Sequence, residues 1–283
     1  MTAIPSGGRG PFRVAGRVLL YVVLIVAAVA ILVPFLWMIS ASLKRNNEVL
    51  TVPVQWIPKD FQWKNFSDIW TQIPLGTYLR NTVFLSAVIT FLQVLTGSFA
   101  AYGFAKMRFP GRDALFFAYI ATIAVPWQAY MIPQYIMMQK AGLTNTFWSL
   151  ILLQAFGAFG VFLMRQYYLT IPEELSEAAR VDGLSEYGIW ARIILPLSKP
   201  ALASLGLLTF VNTWNDYMGP FIYLTSNDLW TIQLGLRSFV GQFDADYAMM
   251  MTGSVLSVLP ILLIFLVGQR YFIQGIATSG MKG

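Results

Sequence analysis

The sequence predicts an all-α, polytopic membrane protein with six transmembrane helices. Three observations predict it. Of 283 residues, 57% are apolar and only 11% carry a charge, against about 25% charged in an ordinary soluble domain. So few charges cannot cover a water-facing surface, and so apolar a chain is not disordered. Six stretches between charged residues each reach the roughly 20 residues that a bilayer-crossing helix needs. These runs are long and do not alternate, so they read as helices rather than strands of a membrane barrel.

The spans follow in chain order. The first, about 17–40, comes after Arg9, Arg13 and Arg17. It resembles a secretory leader, but its apolar run exceeds the usual 7–15 residues, so it reads as an uncleaved anchor. The second is 81–105, bracketed by Arg80 and Lys106; the third is 114–138, between Asp113 and Lys140; the fourth is 146–166, ending at Arg165. The fifth, 200–224, meets only Asp216, and the sixth, 249–271, lies between Asp246 and Arg270. Pro34, Pro126, Pro133 and Pro260 fall inside spans, where membrane helices accommodate them as kinks. Residues 1–16 read as an N-terminal tail, 17–272 as one membrane domain and 273–283 as a C-terminal tail.

Charge sets the orientation. With the N-terminus inside, 12 Lys and Arg lie on the cytoplasmic side and 7 outside, five of those seven in one long outer segment near 41–80. Cytoplasmic loops of membrane proteins carry the excess of cations, so both termini are expected inside. The net charge of +6 is then a topological signal and not a nucleic-acid footprint. The outer segment carries Trp56, Trp63 and Trp70, suited to the membrane interface. A second outer loop, 225–248, carries Asp228, Asp244 and Asp246.

The missing chemistry is informative. The chain has no Cys and no His, so thiol nucleophiles, zinc–thiolate sites and the commonest general base are absent. There is no GxxxxGK[ST] phosphate loop. Asp216 is the only acid well inside a span, whereas proton-driven carriers usually keep ionisable groups within their helices. No cofactor or metal site is expected. If this protein moves a solute uphill, another subunit must supply the energy and must dock on the inner face.

The longest inner loop, 167–199, offers the docking element. Thr170 with Glu173 fits a capping box, Pro172 suits a first helical turn, Glu173 and Glu174 complement the positive end of the helix, and Gly183 fits a stop. A short helix of about 12 residues over 170–183 is expected. At 100° per residue Ile171, Leu175, Ala178 and Ala179 share one face and Glu173, Glu177 and Arg180 the other, with Glu177 and Arg180 able to pair. So short a helix is marginal alone and needs bracing. The alternative is an ordinary helix lying on the bilayer. Pro196 and Pro200 are expected to separate the following connector from the fifth span.

Glu177-Ala178-Ala179, three residues, Gly183, nine residues, Ile193, one residue and Leu195-Pro196 resembles the EAA signature of ABC-importer permeases. The Phe-Pro-Gly-Arg turn at 109–112, Trp214-Asn215-Asp216 and the ending Gln274-Gly275-Ile276-Ala277-Thr278-Ser279-Gly280-Met281-Lys282-Gly283 resemble the MalG-like carbohydrate permeases. Met281 departs from the small aliphatic residue commoner at that place. The resemblance implies a type I importer permease fold, with the 170–183 segment as a coupling helix. It implies contact with a cytoplasmic ATPase through Glu177, Ala178, Ala179 and Gly183, flanked by Arg180 and Asp182. It also implies two ATP-binding-cassette subunits that hold ATP and Mg, a second homologous permease subunit, an extracytoplasmic binding protein and a sugar. The C-terminal tail resembles the family segment that reaches towards the ATPase interface, or it is a frayed polar end. The outer loops would meet the binding protein.

Within the fifth span, Asn212, Trp214, Asn215, Asp216 and Tyr217 offer amides, an acid and aromatic surface, as a sugar would require. Equally, polar groups there can bond helix to helix. Asn81, Gln93, Gln128 and Gln154 are weaker candidates. Three other readings stay open: the same machine for a polyol, glycerol phosphate or peptide; a self-sufficient carrier or channel; and an intramembrane enzyme, disfavoured by the absence of His, Cys and paired acids.

Overall fold

The computed structural model describes residues 11–241 and 245–280, with side chains from 16 to 269 within those limits. Arg9, Arg13, Asp244, the Gln274–Gly280 side chains and Met281-Lys282-Gly283 therefore lie outside what is described. In chain order the helices are α1 Pro11–Ser42, α2 Asn46–Val49, α3 Asn65–Gln72, α4 Leu75–Lys106, α5 Arg112–Ala121, α6 Met131–Lys140, α7 Phe147–Gln154 and α8 Ala158–Tyr168. There follow α9 Glu174–Val181, α10 Glu186–Ile189, α11 Leu195–Leu197, α12 Lys199–Trp214, α13 Met218–Tyr223, α14 Ile232–Leu236 and α15 Tyr247–Gly280.

Among the described residues, four helical stretches are long and apolar enough to cross a membrane: Gly16–Ser42, Leu75–Lys106, Phe147–Tyr168 and Tyr247–Gln269. Glu186–Leu197 and Lys199–Trp214 add a fifth if that pair, bent by 82°, counts as one span. At about 1.5 Å per residue, the 32 residues of α4 run past both faces of a 30 Å hydrocarbon layer.

Three expected spans are broken. The stretch 114–138 is not one helix. It divides into α5, two 3₁₀ turns (Thr122–Ala124 and Trp127–Ala129) and α6. Pro126 explains the break: it has no N–H to give, and it pushes Val125 out of the helical region, to φ −85° and ψ 112°. The stretch 200–224 divides at Asn215–Tyr217 into α12 and α13. The fourth span carries a smaller break at 155–157, between α7 and α8. There the freed carbonyls find side-chain donors: Gln93 Nε2 donates to Gln154 O at 2.7 Å and Thr96 Oγ1 to Ala155 O at 2.8 Å.

The bundle is built around α4, which packs on α8 and α12. Gly97 and Gly160 let the first pair approach backbone to backbone; a Cβ on Gly97 would sit 3.4 Å from the Gly160 carbonyl carbon. α15 lies on α12, and α1 lies outermost, against α15. The core at the α9 end gathers Tyr102, Phe116, Met164, Tyr168, Ile171, Ala179, Ile189, Trp190, Ile194 and Leu205. At the other end Ile69, Tyr78, Ile232, Leu236 and Met249 form a second cluster. Asn81, one of the weaker solute candidates, is committed there, donating to Asp228 O and Trp230 O at 2.8 and 3.0 Å.

Candidate functional site

The helix expected in the 167–199 loop exists, but it is shorter than expected. α9 spans eight residues, Glu174–Val181, and Glu173 occupies the N-cap position with no side-chain cap. No capping box forms, because Thr170 Oγ1 donates back to Tyr167 O at 2.7 Å. The C-terminal end is as the glycine implied. Gly183 has φ +82°, Leu184 N donates to Ala179 O and Gly183 N to Arg180 O, both at 3.0 Å. This is a Schellman turn.

The faces also differ from the expectation. Ile171, Ser176 and Ala179 are buried, while Leu175 and Ala178 point outward with Glu174, Glu177, Val181 and Asp182. Val181 is 88% exposed. At 100° per residue the outward set spans about 160° of the helix. Ser176 and Ala179 take the inner face because small side chains let α9 lie close to the bundle. The larger apolar residues stay outside, mixed with three acids.

Arg180 is the second correction. It does not pair with Glu177. Its Nη1 donates to Glu173 Oε1 at 3.3 Å and its Nε to Glu186 Oε1 at 2.8 Å. Lys106 Nζ, at the end of α4, donates to Glu173 Oε2 at 3.2 Å and to Ile171 O at 2.6 Å, and its side chain is only 4% exposed. The Tyr102 hydroxyl donates to Glu186 Oε2. Pairing with Arg180 holds the Glu186 carboxyl below its ordinary range, against an opposing effect of burial, with Tyr102 assisting. The same bond to Glu186 raises the Arg180 guanidinium above its usual value. A cleft of about 390 Å³ opens beside this network, lined by Lys106, Met107, Arg108, Glu173, Glu177, Arg180 and Glu186.

A second cavity, of about 510 Å³, lies where the α7–α8 and α12–α13 breaks face each other. Asn212 and Asp216 line it, together with Gln93, Gln154, Thr209, Thr213, Trp127, Tyr130 and Gln134. Its polar groups are linked. Thr209 Oγ1 donates to Gln93 Oε1 at 3.2 Å, Gln154 Nε2 to Asp216 Oδ2 at 2.9 Å, and Gly219 N to Asp216 Oδ1 at 3.0 Å. The other fifth-span candidates are elsewhere. Trp214 is 0% exposed, and its Nε1 donates to Ser257 O and Oγ on α15 at 3.2 and 3.3 Å. Asn215 donates to Val211 O at 2.9 Å and accepts from Gln233 at 3.3 Å. Tyr217 stacks on Phe221. Trp214 is thus helix–helix packing: two residues on from Asn212 in α12, it stands about 200° further round the helix, on the side that meets α15 and away from the cavity.

Residues 93–278 match the family described as the binding-protein-dependent transport system inner membrane component. The chain belongs to that family. This permease is 36% identical over 253 residues to an arabinooligosaccharides transport system permease protein, AraQ, of Halalkalibacterium halodurans, covering 88% of this chain and 91% of the relative. It is 34% identical to a lactose transport system permease protein, LacG, of Rhizobium radiobacter, covering 92% and 94%. A solved bacterial ABC transporter involved in the import of the acidic polysaccharide alginate has a chain that superposes with a TM-score of 0.80 at 25% identity, covering 96% of this permease and 100% of that chain.

Sequence reasoning missed Trp127, Tyr130, Gln134 and Thr209 in the cavity, and Tyr102, Lys106, Glu173 and Glu186 in the network. For the first group the signal was Pro126, which separates a wet aromatic turn from the helix before it. For the second, Tyr102 and Lys106 stand four apart on one face of α4, a spacing that places them side by side.

Proposed function

We propose that this permease is one half of a heterodimeric pore in an ATP-driven importer, translocating a sugar or oligosaccharide delivered by an extracytoplasmic binding protein. Six crossings result if α5–α6 and α12–α13 each count as one broken span, with both termini cytoplasmic. Two partner ATPase subunits bind ATP and Mg and dock on the outward arc of α9. The observation that carries this is the arc itself: Leu175, Ala178 and Val181 lie exposed beside Glu174, Glu177 and Asp182 on a helix whose other face is fixed to the bundle. Leu175 and Val181 stand 43% and 88% exposed on that arc, apolar surface that a docked partner would cover. The chain's lack of a phosphate loop agrees with an external motor.

The cavity is the proposed solute path. Asp216 is the only charged residue lining it, and amides, hydroxyls and aromatic rings make up most of the rest. That set suits an uncharged polyhydroxy compound. Asn212 and Asp216 keep their proposed role in solute contact; Asn215 and Tyr217 are supporting neighbours.

The test is reconstitution with the ATPases, the second permease and the binding protein. Leu175→Asp with Val181→Asp is expected to abolish ATPase co-purification while the two permeases stay together. Asn212→Ala is expected to slow transport about fivefold, the effect of one lost hydrogen bond, with ATPase association intact. Full transport and ATPase retention in the α9 variant would overturn the docking assignment.

A further inference from the structure

The polar contacts around α9 close on themselves. Tyr102 on α4 holds Glu186 at the start of α10; Glu186 holds Arg180 on α9; Arg180 holds Glu173 ahead of α9; Glu173 holds Lys106, one turn beyond Tyr102 on α4. Each carboxylate has its two oxygens engaged by two different donors. Neither acid can turn to follow one partner without leaving the other. Arg180 splits its fork between the two acids, so one side chain bridges the entry and the exit of α9. Lys106 is withdrawn from water and also grips the Ile171 carbonyl. Beneath the circuit Ile171, Ala179, Tyr102 and Ile189 belong to one apolar cluster. The outward arc lies on the other side of the helix except at Glu177, which borders the cleft beside the circuit.

The covalent links on either side of α9 are the loops 169–173 and 182–185, which can flex. A push on a helix hung between two loops would be absorbed by the loops unless something stiffer joined it to the bundle. The circuit is that stiffer joint, because charge-assisted bonds with both partners held are short and directional, and because opening it would leave Lys106 buried without its carboxylate.

We propose that the Tyr102–Glu186–Arg180–Glu173–Lys106 circuit is the joint through which displacement of α9 is passed to α4 and, through α10, to α12, with Arg180 a positioning residue turned away from the ATPase rather than a contact to it. This rests on the docking of a motor subunit at α9.

The experiment uses the assembled transporter in liposomes and reads ATP hydrolysed per solute imported. Tyr102→Phe removes one hydroxyl and keeps the ring; Arg180→Gln opens the circuit at its centre. Each is expected to raise that ratio roughly tenfold or more, in line with losing a bond to a charged group, while ATPase co-purification stays at the native level. The double variant is expected to be no worse than Arg180→Gln, since a ring cut once is already open. The chain contains no cysteine, so Tyr102→Cys with Glu186→Cys, assembled with cysteine-free partners, can be bridged by a bifunctional thiol reagent. Bridging is expected to bring the ratio back towards native. A native ratio in both single variants would overturn the proposal, as would a raised ratio that bridging leaves unchanged. Failure of the docking reading would show separately, as ATPase retention in the Leu175→Asp, Val181→Asp variant.

Discussion

Trp214 and Asp216 are two residues apart and do different work. Trp214 has its ring enclosed and its indole N–H on Ser257, so Trp214→Ala removes packing and a hydrogen bond together. A loss of about 3–5 kcal/mol in stability is expected, seen as earlier thermal unfolding in detergent, with transport per folded complex unchanged. Asp216 accepts from Gln154 and from Gly219 N beside the cavity. Composition marked both as solute candidates. What separates them is that Trp214 lies on the α15 side of α12 while Asp216 follows the helix end at Asn215, and composition alone does not show which side of a helix a neighbour covers or where the helix stops. Glu186 carries a pH consequence. Its carboxyl titrates below the ordinary value of about 4.3 because Arg180 holds it ionised. A depressed folded pKa gives stability that is present above the unfolded value and lost as pH falls through the folded one. Amide protection factors across 174–184, taken relative to the intrinsic rate at each pH, should therefore stay high from pH 8 to about pH 5 and fall only in stronger acid. In Glu186→Gln they should be low throughout that range.

At the level of helices, α9 was legible from its acids, its Pro172 and its Gly183, and the EAA spacing placed it. Its buried face was not. Hydrophobic periodicity assigns the larger apolar residues inward, whereas here Leu175 and Ala178 face out and the inward places go to Ser176 and Ala179. The proposed docking at α9 would invert the rule, because the apolar side would then serve another molecule. Arg180 was misassigned for a related reason: its acids lie seven residues before and six after it, beyond the reach of spacing rules within one helix. Gly183→Pro tests the element as a whole. Proline fixes φ near −65°, against +82° at Gly183, and lacks the N–H given to Arg180 O. The expected result is ATP hydrolysis without transport and normal affinity for the binding protein, measured in proteoliposomes. The span 114–138 was misread as continuous because charge-free length says nothing about backbone geometry, and Pro126 decides that.

The whole molecule was legible as an apolar helical bundle, because too few charges exist to cover anything else. Its packing order was not. The interior position of α4 depends on Gly97 against Gly160, and single glycines in an apolar run carry no mark of what approaches them. Gly97→Leu should force α4 and α8 apart, lowering thermal stability by about 1–3 kcal/mol and disturbing both the Gln93 and Thr96 bonds at the α7–α8 break.

The outermost helix carries a consequence for the life of the protein in the cell. Across Gly16–Ser42 the most apolar stretch has no residue buried within its own chain. A copy fresh from the ribosome thus presents an oily rod that its own fold does not sheathe, and quality control removes such orphans. Pulse–chase labelling should show a short half-life when this subunit is made alone and a longer one when the second permease proposed above is made beside it.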